Sequence, residues 1–430
     1  MKIVLISTYE LGHQPFGLAS PAAWLRREGH EVFCLDTSQQ ALRDYESRIA
    51  EADAVAFYLP MHTATRIALH AIRRVRGLNP QARLCAYGLY APMNADMLRE
   101  LGIEKIVGGE FEQELAKWVI EKQIPRGLSS ARDDKARALI SLQKLQFITP
   151  YRSVLPRLQN YAKLRLPNGD ERITGYTEAS RGCKHLCRHC PIVPIYNGAF
   201  RVVQKDVVLA DIRQQVAAGA QHITFGDPDF LNGPSHAIDI VHALHREFPG
   251  VTYDVTIKVE HLLKHANLLP ILRDTGCAFV VSAVEALDDA VLTKLDKRHT
   301  RAHFFRCIEI FREVGLTLSP TFVAFTPWTT LESYEDFLST IANLHFVENL
   351  PPVQLGIRLL IPAGSRLLEL PEIQDIIGPF DRDKLCYPWR NPDPRVDDLQ
   401  LAVEDTVQRA SKLGRSRRQI FAEVCRLVLA

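Results

Sequence analysis

Twice along this chain, short apolar runs alternate with helical patterns, and that rhythm constrains the fold more than any single residue. Residues 3–7, 31–35, 54–59, 83–87 and 105–107 are apolar runs of strand length, separated by helical patterns such as 21–28 and 64–76. Strands that alternate with helices pack as a parallel sheet covered on both faces, so residues 1–124 predict a doubly wound, Rossmann-like α/β domain. Gly29 and Gly77 stand where helices should stop. Ligands on such sheets bind beyond the carboxyl ends of the strands, which selects residues 8–17, 58–63, 88–93 and 108–111. No Gly-x-Gly-x-x-Gly follows the first run, so a dinucleotide fingerprint is absent. The second alternation places runs at 221–225, 253–257, 279–282, 318–325 and 353–360, with helical patterns at 207–218 and 301–314. It predicts a partial (β/α)6 barrel over residues 173–365, with reactive groups at the carboxyl ends of its strands.

Between the two lies a polar stretch, 125–172, read as a linker; Asn168-Gly169 between 164–166 and 172–174 predicts a hairpin inside it. Residues 366–430 open proline-rich and then predict two helices, the second burying Ile420, Phe421, Val424, Leu427 and Val428. A net charge of +2 over 430 residues recruits neither nucleic acid nor an anionic membrane surface. The apolar start is too short for a signal peptide, and no later run reaches the length of a membrane span. Nine cysteines, clustered only at 183–190, suit a reducing cytoplasm better than a disulfide framework. The other six sit mostly among apolar neighbours and read as small buried hydrophobes.

Chemistry concentrates at Cys183, Cys187 and Cys190, spaced Cys-x-x-x-Cys-x-x-Cys. A structural zinc wants a fourth ligand at finger-like distance, and His185 and His189 lie too tightly inside the loop to complete a tetrahedron with all three sulfurs. A thioredoxin-like pair drawn from Cys187 and Cys190 needs no third cysteine. Three thiolates on one loop can hold three irons of a [4Fe-4S] cluster and leave the fourth iron open. Arg181, Lys184 and Arg188 are expected to temper the thiolate charge, and Gly182 to permit a tight turn beside it.

The run from Ser180-Arg-Gly-Cys183 to Cys190-Pro resembles the radical S-adenosylmethionine (SAM) enzymes, and the resemblance extends over the following two hundred residues. It implies that the open iron chelates SAM, and that one electron from the reduced cluster yields methionine and a 5′-deoxyadenosyl radical. It further implies that Gly226 and Asp227, after the second barrel strand, hold the methionine amine, and that Glu285, in the segment Ser282-Ala-Val-Glu285, accepts the ribose hydroxyls. Lys258 and Arg358 are implied as weaker carboxylate contacts. His189 stands where the family favours a bulky aromatic, and can stack or hydrogen-bond near adenine. The N-terminal third, with Phe16-Gly-Leu18 leading into its first helix and Val107-Gly-Gly-Glu-Phe-Glu112 closing it, resembles the cobalamin-binding domain that precedes many of these enzymes. The Asp-x-His-x-x-Gly motif that supplies cobalt with a histidine is missing: Leu11 stands two places before His13, and Gly17 falls one place late. Residues 386–396 resemble the radical enzymes named for a Cys/selenocysteine-Cys-Ala-Glu-Pro tail, which this sequence does not show; a selenocysteine codon read as stop would make Ala430 an artificial end.

The expected function is cobalamin-dependent methylation of an unactivated carbon in a small molecule or peptide, with flavodoxin or ferredoxin as electron donor. A cobalamin-dependent radical rearrangement and a cobalamin- or redox-sensing binding protein are the alternatives. Methylthiolation of transfer RNA fits less well, because the N-terminal domain has no second cysteine cluster and no basic RNA-binding tail is evident.

Overall fold

The computed structural model describes residues 1–121, 139–166 and 169–428. The polar stretch 127–135, Asn168 and Ala430 lie outside them. In chain order the strands are β1 Lys2–Ser7, β2 Glu31–Asp36, β3 Ala54–Tyr58, β4 Arg83–Tyr87, β5 Lys105–Gly109, β6 Ile140–Ser141, β7 Lys163–Arg165, β8 Glu171–Thr177, β9 Ser180–Gly182, β10 Phe200–Val202, β11 His222–Phe225, β12 Thr252–Thr256, β13 Cys277–Glu285 and β14 Leu318–Phe322.

The first sheet runs β2-β1-β3-β4-β5-β6, parallel throughout. β3 and β4 are buried along their whole length, as strands covered on both faces must be. Chain order reverses between β1 and β3, so the loops after those strands diverge and open a crevice. The second sheet runs β14-β13-β12-β11-β8-β7, parallel except for the β7–β8 hairpin. Its strands enclose a core that includes Phe225, Tyr253, Val255, Val280, Phe304 and Phe322. The α/β architecture is thus a Rossmann-like parallel sheet followed by a half barrel.

Three expectations need correction. The run 353–360 is not a sixth strand: Pro352–Leu355 forms a 3-10 turn, and pairing shrinks to a single parallel bridge between Phe325 and Arg358. Pro352 opens that turn, which takes up the first half of the run. The stretch read as linker is packed where it is described: β6 extends the first sheet, while Leu145, Phe147 and Leu158 enter the barrel core together with Trp24 of helix Phe16–Arg27. These apolar residues follow no helical or strand period, so nothing in the pattern marks them. In the last helix, Arg417–Val428, Ile420, Phe421 and Val424 are buried but Leu427 is exposed.

Arg152, on the same packed stretch, locks the halves together. Its guanidinium pairs with Asp211 at 2.9 and 2.8 Å, donates to the Tyr176 carbonyl at 2.6 Å and reaches Gln14, on the loop after β1, at 3.2 Å. Both charges are buried, so removing one strands the other. Asp211→Ala is expected to lower stability by about 3–5 kcal/mol in chemical denaturation. Arg395→Ala, which breaks an exposed pair with Asp393, should leave the denaturation midpoint close to that of the wild type.

Candidate active site

The cysteine loop is the connection of a small hairpin. β9 pairs antiparallel with β10, Gly182 opposite Phe200, and the chain between them carries all three cysteines. Gly182 has φ +74°, and a Cβ there would run into the Tyr196 ring and the Ala199 carbonyl, so the turn into Cys183 requires glycine. Cys187 is buried, Cys183 and Cys190 half-buried. Burial pushes the Cys183 thiol up to about 11 and the Cys190 thiol up to about 12, and the neighbouring sulfurs push the same way. Backbone N–H groups of His185 and Ile192 act on Cys183 and Cys190 in the opposite sense. Three crowded, half-desolvated sulfurs favour thiolates only when cations share their charge, which is the chemistry of an iron–sulfur site. The donor set therefore fits a cluster.

The expected counter-ions are elsewhere. Arg181 turns away from the sulfurs into three carboxylates: Glu178 at 2.6 Å, Glu112 at 2.6 Å and Glu110 at 3.2 Å. Lys184 lies over the Phe200 ring, and Arg188 donates to the carbonyls of Thr293 and Lys294. Two lysines take their place. Lys258 lowers the Cys183 thiol and Lys297 the Cys190 thiol by their charge. Lys297 is buried and pairs with Glu285 at 3.3 Å, and His189 meets the same carboxylate oxygen at 3.1 Å. Although Glu285 is buried, Lys297 and His189 together hold its carboxyl down at about 2. Glu285 has φ +73°, at an irregularity in the β13–β14 pairing, so the strand spends backbone strain to aim this side chain at the cysteine loop.

The other expected contacts divide. Ser282 is fully buried on the same strand as Glu285, its hydroxyl without a partner. Lys258 approaches His185 at 3.2 Å and Glu260 at 3.2 Å. Gly226 packs against the Tyr176 hydroxyl so closely that any side chain would displace it. Asp227 faces away from open space, accepting from the Ala179 N–H at 2.9 Å and the Ser180 hydroxyl at 2.6 Å. It braces the approach to the cysteine loop instead of offering itself to an amine. Arg358 is engaged by the C-terminal segment: it pairs with Asp397 at 2.7 Å, donates to the Trp389 carbonyl and stacks on the Trp389 ring, tying down helix Pro394–Lys412. His185 faces Asp229 at 3.3 Å, with His261 on the same carboxylate at 2.8 Å. Among the described residues, the ligand atoms that lie within 4.8 Å of one another are those of Cys183, His185 and Asp229, not a histidine with all three sulfurs.

The loops after β1, β3, β4 and β5 face the barrel mouth across a cleft of about 230 Å³. Glu10, His13, Tyr58, Met61 and Gly88 line one wall, and Tyr176, Glu178, Tyr196 and Gly226 the other. Its volume falls below the roughly 300–1,000 Å³ that encloses a drug-sized ligand, so it can grip one side of a large cofactor without enclosing it. Glu10 Oε2 and His13 Nδ1 are buried without partners, which suits a polar ligand at this wall.

Residues 177–342 match the family model of the radical SAM superfamily. The chain carries a radical SAM domain. A hopanoid C-3 methylase of Methylococcus capsulatus is 23% identical to it over 330 residues, 73% of this chain and 62% of the relative. A ribosomal protein uS12 methylthiotransferase of Porphyromonas gingivalis is 26% identical over 206 residues, 45% of this chain and 46% of the relative. The chain thus spans less than two thirds of these curated relatives. Among solved structures, the cobalamin-dependent SAM radical enzyme OxsB with aqua-cobalamin bound aligns with a TM-score of 0.65 at 13% identity, over 94% of this chain and 67% of that one. The radical SAM methyltransferase TsrM of Kitasatospora setae aligns at 0.64 and 16% identity, over 87% and 76%. At these identities the likeness is one of fold, and it covers the Rossmann-like sheet as well as the radical SAM barrel. The family implies SAM and a [4Fe-4S] cluster as cofactors. Among the described residues no helix is long and apolar enough to cross a membrane.

Sequence reasoning missed Lys297, Glu10 and the carboxylate partners of Arg181. Glu110 offers a test of the last. Burial pushes its carboxyl up to about 7, Arg181 pulling it down and Glu112 pushing it up. The folded chain holds that proton up to about pH 7, the unfolded chain only to its ordinary 4.5. Stability is therefore lost as pH rises through that window, fully present below it. Asp227, pushed up to about 7 by burial, acts in the same sense. Glu110→Gln is expected to make the decline of stability between about pH 4.5 and about pH 7 shallower by close to one proton; a slope equal to the wild type contradicts this assignment.

Proposed function

We propose that this chain is a radical SAM methyltransferase that uses cobalamin to methylate an unactivated carbon of a small molecule or peptide. The observation that carries the reading is the meeting of Cys183, Cys187 and Cys190 with the Glu285–Lys297–His189 group at one end of the barrel, across a cleft from the loops of a Rossmann-like sheet. The hopanoid methylase and the cobalamin-dependent fold relatives support the methylation reading.

In this reading residues 1–124 hold cobalamin, 173–365 form the reactive barrel, 125–172 join them and 366–430 buttress the barrel. When bound, the cluster supplies the electron that cleaves SAM to a 5′-deoxyadenosyl radical, and cobalamin supplies a methyl carrier. Cys183, Cys187 and Cys190 hold the cluster. Glu285, kept ionised by Lys297 and His189, accepts hydrogen bonds from ribose hydroxyls, two donors satisfied by one rigid carboxylate. Gly226 and Ser282 line the approach of SAM, and Lys258 balances charge beside Cys183. Asp227 and Arg358 position backbone, the first at Ser180 and the second at the C-terminal helices. Flavodoxin or ferredoxin serves as reductant, in the cytoplasm.

Anaerobic reconstitution with iron, sulfide, SAM and dithionite is expected to yield 5′-deoxyadenosine. Cys187→Ala should lose the iron and the product together. A fully loaded cluster that yields none overturns the reading of this chain as an enzyme.

A further inference from the structure

The loop after β1 has a fixed shape and an unsatisfied interior. Leu11 and Gly12 both take left-handed backbone, φ +51° and +82°, and Leu11 points its side chain into solvent. The His13 N–H donates to the Glu10 carbonyl at 2.9 Å and the Ala162 N–H to the Gly12 carbonyl at 2.8 Å. Gln14 is held by Arg152 on one side and donates to the Pro156 carbonyl at 2.9 Å on the other. A strained loop fastened at four points presents two side chains to the interdomain cleft: Glu10, 7% exposed with Oε2 unpartnered, and His13, with Nδ1 unpartnered and its ring 5.1 Å from that of Tyr176. A buried polar atom left open costs about 1–3 kcal/mol, and two on one loop facing one cleft mark a place where a ligand completes the bonding.

We propose that Glu10 and His13 form an uncharged hydrogen-bonding cradle for carboxamide groups, specifically the carboxamide rim of a corrinoid. This rests on the cobalamin reading above and deepens it. Burial, together with the charges of Glu178 and Asp36 and against that of Arg152, raises the Glu10 carboxyl well above its ordinary range, and burial lowers the His13 imidazole, so both shifts favour the uncharged forms. Tyr58 and Tyr176 face the same cleft with hydroxyls held neutral by burial. Arg181, the cation at the cleft wall, is already taken by three carboxylates. Among the described residues lining the cleft, a carboxylate ligand would meet Glu178, with Arg181 already engaged. A carboxamide offers a carbonyl to the Glu10 hydroxyl and N–H groups to its carbonyl oxygen and to the open imidazole nitrogen.

The probes are two corrins without a nucleotide tail: cobinamide, whose rim carries carboxamides, and cobyrinic acid, the same ring with carboxylates throughout. Equilibrium dialysis against the reconstituted full chain is expected to show cobinamide binding roughly tenfold or more tightly than cobyrinic acid. Glu10→Gln, which keeps a neutral donor and acceptor, should preserve that ratio. Glu10→Leu and His13→Leu should each weaken cobinamide about tenfold while circular dichroism and iron content stay at wild-type values. If hydroxocobalamin binds but the two corrins bind equally, or if Glu10→Leu leaves cobinamide unchanged, the cradle is overturned and the cobalamin reading stands. If no corrinoid binds at all, both fall. The wild-type ratio decides without any variant.

Discussion

The Arg181 guanidinium sits where the two halves of this molecule meet. Arg181, two residues before Cys183, is buried against Glu110 and Glu112, on the turn after β5 and at the start of the helix that follows it, and against Glu178 from the barrel. Ser20 donates to Glu112 and Tyr196 to Glu110, so the carboxylates are themselves fixed. Phe16, Phe111 and Phe147 surround the guanidinium with ring faces and exclude water. Such a buried network contributes little net stability, since desolvation offsets most of the attraction. What it fixes is geometry: the donor fork of Arg181 reaches all its acceptors in one arrangement, which sets Gly182 and Cys183 against the first sheet. The cysteine loop thereby belongs to both domains, and the cleft between them is one site.

This network explains why the electrostatics of the cysteine loop differ from what its sequence implies. Arg181, Lys184 and Arg188 look like local counter-ions, yet each has a better partner: carboxylates, an aromatic face and carbonyls of the facing turn. The compensating charges come from Lys258, just after β12, and Lys297, on the turn beyond the helix that follows β13, 68 and 107 residues past Cys190. Arg188 still matters, because its backbone N–H bonds the Leu295 carbonyl at 3.0 Å and so docks the turn that carries Lys297. Glu285 then links the turn, His189 and the strained end of β13.

Legibility followed periodicity. The strands of both sheets could be read because strict burial on both faces writes itself as short apolar runs, and their loops followed from the rule that ligands gather at carboxyl ends. The three cysteines were legible from spacing alone. Residues 145–158 were not: Leu145, Phe147 and Leu158 fill gaps between two domains, and gap-filling has no period. The run 353–360 has strand composition, but its first half is taken up by the turn Pro352–Leu355. Asp227 and Arg358 were expected to contact SAM, and one sequence does not reveal that their partners are Ser180 and Asp397. Glu10 gave no signal at all, since a lone acid in a loop is usually solvated, and only its burial distinguishes it.

The claim on which the rest turns is that three thiolates leave one iron of the cluster open beside Glu285. Mössbauer spectroscopy of the reconstituted, iron-57-labelled chain with and without SAM tests this directly. The expected result is that one iron of the four shifts to a distinct, higher-coordinate signal when SAM is added while the other three stay unchanged. Four irons that respond alike, or not at all, would contradict it.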